Sequence, residues 1–340
     1  MRSKQTKILI IRFSSIGDIV LTTPVIRCIK LQQPEIEIHY LTKNSFKGIL
    51  EHNPYITKIH CIEKDVTSSA LRAPSPKEKG SGSSLREVIK HLRKENFDFV
   101  IDLHHNIRSA QIKMGLSTPS STFKKLNFKK WLLVNFKINK MPAMHIVDRY
   151  LQTVEMLGIK NDCKGLDYFI PKVDKVNTST LPATHQNGYI GFVIGAKHFT
   201  KQLPTEKIIS ICKKINQPII LLGGKEDNER AEAIKKAVGT IIYNACGKYN
   251  LNQSASLIQQ ATKIISHDTG LMHIAAAFKK EIISVWGSTV PALGFTPYLP
   301  DAKSKIVEVK KLSCRPCSKI GYDKCPKGHF KCMMLIDEKE

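Results

Sequence analysis

Five stretches of this chain gather residue types that can do chemistry on a charged, oxygen-rich molecule. Arg12–Asp18 (RFSSIGD) sets one carboxylate among small residues, and Asp18 suits a general base toward a hydroxyl. Asp102–Ser109 (DLHHNIRS) mixes carboxylate, imidazole, amide and guanidinium groups. Gly195–Pro204 (GAKHFTKQLP) brings Lys197 and Lys201, cations fit to neutralise a departing diphosphate. Gly223–Asp227 (GGKED) joins glycines that allow close backbone approach, Gly224 among them, to Glu226, which can accept hydrogen bonds from ribose hydroxyls. Ser266–His273 (SHDTGLMH) sets Thr269 and Gly270 at a helix start, where unpaired amides and the helix dipole form an anion site suited to a diphosphate. Each loop taken singly reads more readily as a capped helix start, with Asp18, Asp268 and Thr269 as capping residues. Their recurrence at predicted strand ends is what favours a site.

The elements that must position these loops alternate in type. Lys7–Arg12 reads as a strand, Ile19–Gln32 as a helix with Pro24 in its early part, Ile36–Leu41 and Ile56–Ile62 as strands, Leu85–Glu95 as a helix and Phe97–Leu103 as a buried strand. Residues 64–84, rich in Ser, Pro, Gly and charge, read as a mobile surface loop. His145–Leu157 is an amphipathic helix, and Pro171–Gly188 lacks apolar periodicity and reads as an interdomain linker. From Tyr189 the rhythm restarts and runs to a strand at Ile282–Trp286. Strands alternating with helices predict parallel sheets covered on both faces. The division is 1–170, a linker 171–188, 189–312 and a Cys-rich tail 313–340. Two doubly wound α/β domains predict a central cleft, with ligands beyond the carboxyl ends of the strands.

The length of 340 residues suits two domains, and 42% hydrophobic with 24% charged residues is a soluble globular balance. No apolar run approaches the roughly 18 residues of a membrane span, and Ile8–Ile11 is too short for a signal-peptide core, so a cytoplasmic protein starting near Met1 is expected. The net charge of +24 fits nucleic acid, an anionic membrane surface or phosphorylated substrates. Lys113–Lys140 interleaves lysines with Phe123, Phe128, Trp131 and Phe136, which suits either a surface for phosphate head groups or an ordinary helix with a solvated lysine face. No nucleic-acid module is evident, so no specific nucleic-acid partner is expected. There is no G-x-G-x-x-G after the first strand, no P-loop and no D-x-D; donor phosphates would be held by amides and lysines in place of a divalent ion.

These residues resemble glycosyltransferase family 9, the lipopolysaccharide heptosyltransferases. RFSSIGDIVLTTPVIR is similar to that family's opening signature and SHDTGLMHIAAAF to its donor-site signature, with GAKHFTKQLP and GGKED between them in order. The resemblance covers roughly residues 6–335. It implies a GT-B fold, with an acceptor-side N-terminal domain and a C-terminal domain that binds a nucleotide sugar. It also implies inverting, metal-independent transfer of a sugar, ADP-heptose being the expected donor, to a lipopolysaccharide inner-core or lipid A precursor at the inner face of the inner membrane. Carried over by position, Asp18 and Lys201 are the expected catalytic residues. Ser15, Gly17, Gly195, Lys197, Gly224, Glu226, Asp268, Thr269, Gly270 and His273 are the expected donor contacts. Asp102, His104, Asn106 and Arg108 fall where acceptor or sugar contacts lie, although DLHHNIRS departs from the Gln-Gly form associated with the family. No cofactor is required on this reading.

Cys314, Cys317, Cys325 and Cys332 follow C-x₂-C-x₇-C-x₆-C with His329 between the last two. The first pair has zinc-ligand spacing and the second lacks the tight pair of zinc ribbons, so four reduced thiols are preferred over a zinc site. The other five cysteines, scattered as singletons, read as buried reduced thiols. Two other readings stay open: a sugar-nucleotide enzyme of different chemistry, such as an epimerase, and a non-catalytic basic protein that binds nucleic acid or another polyanion.

Overall fold

The structure is a computed structural model that describes residues 5–63 and 84–338; the expected surface loop at 64–84 lies, apart from Ser84, outside the described residues. The chain forms two compact units, Met1–Lys125 with Ile146–Lys164, and Leu126–His145 with Gly165–Glu340.

The first unit is built on strands β1 (Lys7–Ile11), β2 (Glu37–Lys43), β3 (Lys58–Ile62), β4 (Phe99–Asp102) and β5 (Ser120–Thr122), in the order β3-β2-β1-β4-β5. All pairings are parallel. β1 reads KILII without alternation because both its faces are covered, and Ile8 to Ile11 are buried. The predicted helix 19–32 is two helices, α1 (Ile16–Val20) and α2 (Thr23–Gln32). The break has a local cause: Thr22 and Thr23 hydroxyls donate to the Ile19 and Val20 carbonyls, each at 2.7 Å, and Pro24 has no amide to continue the ladder. α3 (Leu85–Arg93) starts at a capping box, where the Ser84 amide donates to Glu87 Oε2 at 2.7 Å and the Glu87 amide to Ser84 Oγ at 3.3 Å. Its Leu85, Val88 and Leu92 recur on one face and pack with Leu9, Ile11, Leu41 and Phe97. α4 (Ile107–Leu116) follows β4.

The boundary expected at residue 170 is corrected by what comes next. Leu126–His145, including α5 (Asn127–Phe136), belongs to the second unit, and α6 (Ile146–Leu151) returns to the first. The expected linker 171–188 is likewise part of the second unit. Its polar composition is used for anchoring. The Val176 amide donates to Ser256 Oγ at 2.9 Å, and buried His185 lies 3.2 and 3.1 Å from the Ile219 and Ile241 carbonyls.

The second unit carries β6 (Ile190–Val193), β7 (Ile219–Leu222), β8 (Ile242–Asn244), β9 (Lys263–His267), β10 (Glu281–Trp286) and β11 (Lys305–Glu308), in the order β11-β10-β9-β6-β7-β8, again parallel. Helices α7 (Thr205–Lys214), α8 (Asn228–Val238), α9 (Leu251–Gln260) and α10 (Gly270–Ala277) alternate with the strands. The tail expected as a separate piece is built into this core. Phe330, Cys332, Met333 and Ile336, on and beside α11 (Lys331–Met334), pack with Phe192, Leu221, Ile265 and Val285. Burying Met333 completely is worth about 2 kcal/mol.

Both sheets start in the middle, run outward to one edge and return to the other side. This creates a switch point between β1 and β4 in the first unit and between β6 and β9 in the second. Ligands of such sheets bind beyond the carboxyl ends of the strands flanking that point. Ile11 pairs with Asp102, and Val193 with Ser266, so the strand ends flanking each switch point are level.

Candidate active site

The loops after β1 and β4 are joined by Arg12. Its buried guanidinium donates to the Ser14 carbonyl at 2.8 Å, to the Leu103 carbonyl at 2.7 Å and to Tyr150 Oη at 3.0 Å. Its Nη2 forms an ion pair with Asp18 Oδ1 at 2.7 Å. Burial works against the Arg12 charge, but Asp18 and the Tyr150 and Tyr40 hydroxyls offset it and hold the pKa above its ordinary value. Ser15 donates to Asp18 Oδ2 from Oγ at 2.7 Å and from its amide at 3.2 Å. Asp18, the expected general base, does not project freely from its loop. It is instead aimed by Arg12 and Ser15, with 24% of its side chain exposed. Gly17, beside it on α1, is buried.

The DLHHNIRS loop divides into bracing and exposed residues. Asp102 is fully buried: Oδ1 accepts the His104 and His105 amides at 3.0 and 2.7 Å, and Oδ2 accepts Ser109 Oγ at 2.8 Å with Lys113 Nζ at 3.2 Å. This corrects its expected place among acceptor contacts, because its carboxylate holds the loop from inside. Asn106 caps α4, accepting the Ser109 amide at 2.8 Å, and Arg108 is half-buried. The His104 ring lies against Phe13, with centroids 4.6 Å apart. Burial, then the charges of Arg12 and Lys125, lower the His104 pKa to about 3 from 6.5. Between those values the unfolded chain takes up a proton that the folded chain refuses, so stability falls as pH drops through this window. His104→Gln is expected to lose less stability than wild type from about pH 6.5 to about pH 4, measured by urea unfolding.

In the second unit, Lys201 ends a short 3₁₀ turn, Phe199–Lys201, in the loop after β6. Its Nζ lies 2.6 Å from Asp268 Oδ2, one residue beyond β9, and Thr289 Oγ1 donates to the same oxygen at 2.9 Å. Thr269 follows in extended conformation as the N-cap of α10, so Gly270 opens the helix at the switch point. Ser266 Oγ is 3.4 Å from Thr269 Oγ1. His273 is buried on α10, Lys197 and Glu226 are exposed, and Gly224 lies under the Glu226 carboxylate.

Three side chains outside the expected set hold these loops. Arg230 donates to the Ile194 carbonyl at 3.2 Å, Gln202 Oε1 at 3.0 Å, Thr205 Oγ1 at 3.1 Å and the Leu203 carbonyl. Buried His267 accepts the Leu203 amide at 3.0 Å, and burial with the Arg230 charge lowers its pKa to about 3. Buried Asp227 accepts the Gly224 amide at 2.9 Å, with its carboxylate where a Cβ on Gly195 or Gly223 would lie, 2.1 and 2.7 Å away. Gly195 therefore serves by admitting Asp227. Gly195→Ala is expected to destabilise the protein by about 1–3 kcal/mol, seen as a lowered Tm. Arg12 and Asp227 left signals in the sequence, a charge breaking the first apolar run and an acid three residues after Gly224; His267 lies inside SHDTGLMH with nothing to mark its bracing role, and Arg230 left no signal.

Of the C-terminal cysteines, Cys317 Sγ donates to the Cys314 carbonyl at 3.1 Å, Cys314 Sγ lies 3.9 Å from His329 Nε2, and Cys332 is in the core. None of the four is in a disulfide. Burial, then the neighbouring thiols, push Cys317 and Cys332 up to about 11.

Two doubly wound parallel units, each with polar loops gathered at its switch point, are the composition of the GT-B class of glycosyltransferases. The profile of glycosyltransferase family 9 (heptosyltransferase) matches residues 85–325. The chain belongs to that family and is a glycosyltransferase. It is 27% identical over 304 residues to lipopolysaccharide heptosyltransferase 1 of Campylobacter coli, covering 83% of this chain and 84% of the relative. A family 9 glycosyltransferase of Veillonella parvula has the same fold, with a TM-score of 0.77 at 21% identity, covering 100% of this chain and 96% of that one. An E. coli heptosyltransferase solved with ADP matches at a TM-score of 0.66 and 21% identity over 88% of this chain and 92% of its own. Among the described residues, no helix is long and apolar enough to cross a membrane.

Proposed function

We propose that this enzyme transfers L-glycero-D-manno-heptose from ADP-heptose to a lipopolysaccharide core acceptor with inversion. The observation that carries the reading is the Lys201–Asp268 pair at the second unit's switch point, directly before the N-terminus of α10. The family match, the Campylobacter relative and the E. coli neighbour solved with ADP support the donor and the sugar.

In this mechanism Asp18 takes the proton of an acceptor hydroxyl, whose oxygen attacks the anomeric carbon from the face opposite the diphosphate. The new carbon–oxygen bond forms as the bond to the β-phosphate oxygen breaks, and ADP leaves with the electron pair. Lys201, Lys197 and the amides at Thr269 and Gly270 meet the growing negative charge. Because the chain lacks D-x-D, these groups take the part a carboxylate-held metal plays elsewhere. Asp268 orients Lys201, while Gly224 and Glu226 contact the ribose and His273 backs the donor loop. Ser15 and Gly17 shape the Asp18 turn, and His104, Asn106 and Arg108 line the acceptor's approach. Thermal-shift screening against ADP-, UDP-, GDP- and CMP-sugars tests the donor. Selective stabilisation by ADP-heptose is expected, and preference for a uridine sugar would overturn that half.

The acceptor is anchored in lipid, and α5 offers a matching surface at the inner membrane's cytoplasmic face. Phe128, Trp131 and Phe136 are 70%, 47% and 58% exposed, with Phe128 stacked on Trp131, and Lys129, Lys137 and Lys140 are exposed around them. Leu133 faces inward, and Lys137 Nζ donates to the Pro316 carbonyl at 2.7 Å. Aromatic rings flanked by lysines suit an anionic lipid interface. Phe128→Ser with Trp131→Ser is expected to weaken binding to anionic vesicles roughly tenfold or more, with turnover of a soluble truncated acceptor unchanged. Equal vesicle binding by wild type and variant would refute this placement.

A further inference from the structure

Two histidines and a glutamate converge where strands β2 and β3 meet the chain beyond α3. His39 lies on β2, His60 on the edge strand β3, and Glu95 two residues past the end of α3. One ligand atom from each lies within 4.8 Å of the others. His39 Nδ1 faces His60 Nε2 at 2.9 Å and Glu95 Oε2 at 4.0 Å. Both imidazoles are buried.

We propose that His39 Nδ1, His60 Nε2 and the Glu95 carboxylate bind a zinc ion as a structural clasp. Around tetrahedral zinc, with bonds of about 2.0–2.1 Å, ligand atoms stand roughly 3.3 Å apart. The 2.9 Å and 4.0 Å separations lie within about 0.7 Å of that spacing and the third, His60 to Glu95, within about 1.5 Å, so side-chain rotation, chiefly of Glu95, completes the site. The groups around the three ligands point the same way. With zinc on His39 Nδ1, the opposite nitrogen faces Glu37 Oε2 3.7 Å away, beyond a direct hydrogen bond, and a small turn of the Glu37 side chain would complete a carboxylate–histidine–metal arrangement. Glu95 is held on its other oxygen by Lys58 Nζ at 2.6 Å, and Lys58, 50% exposed, can turn to solvent when the ion enters. Two imidazoles and one carboxylate suit zinc over magnesium or calcium, and water fills the fourth position. The clasp joins β2 and β3 to the segment following α3, so the ion stabilises the fold and takes no part in transfer.

The test uses the full chain, treated with chelator, desalted and titrated with zinc chloride and, separately, cobalt chloride, with the C-terminal thiols as the competing site. Cys314→Ser with Cys317→Ser is expected to keep one equivalent of zinc that raises Tm. Its cobalt complex should show ligand-field bands without a thiolate charge-transfer band. In that background His60→Asn should lose the equivalent, and Glu37→Gln should weaken it roughly 10–100-fold. Glu95→Gln, whose amide keeps the carboxylate's shape, should lose the zinc-dependent Tm shift even where His60→Asn folds poorly. No zinc bound by the Cys314→Ser, Cys317→Ser protein, or wild-type zinc affinity in Glu95→Gln, would overturn the proposal.

Discussion

Asp18→Asn is expected to lower kcat by roughly 10²–10⁴-fold while donor affinity stays close to wild type. The amide keeps the size of the carboxylate and can still accept from Ser15, which now donates to Asp18 from both Oγ and the backbone. It cannot take a proton, so the acceptor oxygen attacks as a neutral hydroxyl. The substitution also leaves the buried Arg12 guanidinium without its ion-pair partner, so a lowered Tm is expected alongside the lost rate. The two effects separate experimentally: donor binding measured by calorimetry below the unfolding range reports folded protein, and single-turnover transfer reports the base. An Asp18→Asn enzyme that binds donor and turns over at near wild-type rate would remove Asp18 from the mechanism.

Lys201→Met should cost roughly 10²–10³-fold in kcat, the size of losing one donor aimed at developing negative charge. Donor affinity should fall as well, for a separate reason. Asp268 loses the cation 2.6 Å from its carboxylate, with Thr289 left on that oxygen, so an unbalanced negative charge faces the proposed diphosphate site. Lys201→Met with Asp268→Asn removes that repulsion. The double variant is expected to recover donor affinity and to stay as slow as Lys201→Met, as measured by KM and kcat together. Recovery of kcat in the double variant would show that Lys201 acts only by neutralising Asp268.

The alternating strands and helices were legible because parallel strands buried on both faces leave uninterrupted apolar runs, as in KILII and IILL. β5, a three-residue SST, and β11, half exposed at the sheet edge, carry no such run and were not legible. Leu126–His145 groups with the second unit, which sequence adjacency to the first does not convey. Residues 171–188 read as a linker because their anchors are side-chain hydrogen bonds to distant residues, such as Val176 to Ser256, which leave no local period. At the candidate site, the five loops were found by residue type. Part of what holds them leaves no local pattern: Arg230 lies on α8, far in sequence from the carbonyls it binds, and burial of Asp102 is set by packing that residue type does not encode.

The most direct measurement is ADP release from ADP-heptose with and without a lipopolysaccharide-core acceptor, for wild type and Asp18→Asn side by side. The account predicts rapid ADP release by wild type only when acceptor is present, with the same reaction nearly abolished in Asp18→Asn. ADP release that proceeds equally without acceptor, or acceptor-dependent release that survives in Asp18→Asn, would contradict it.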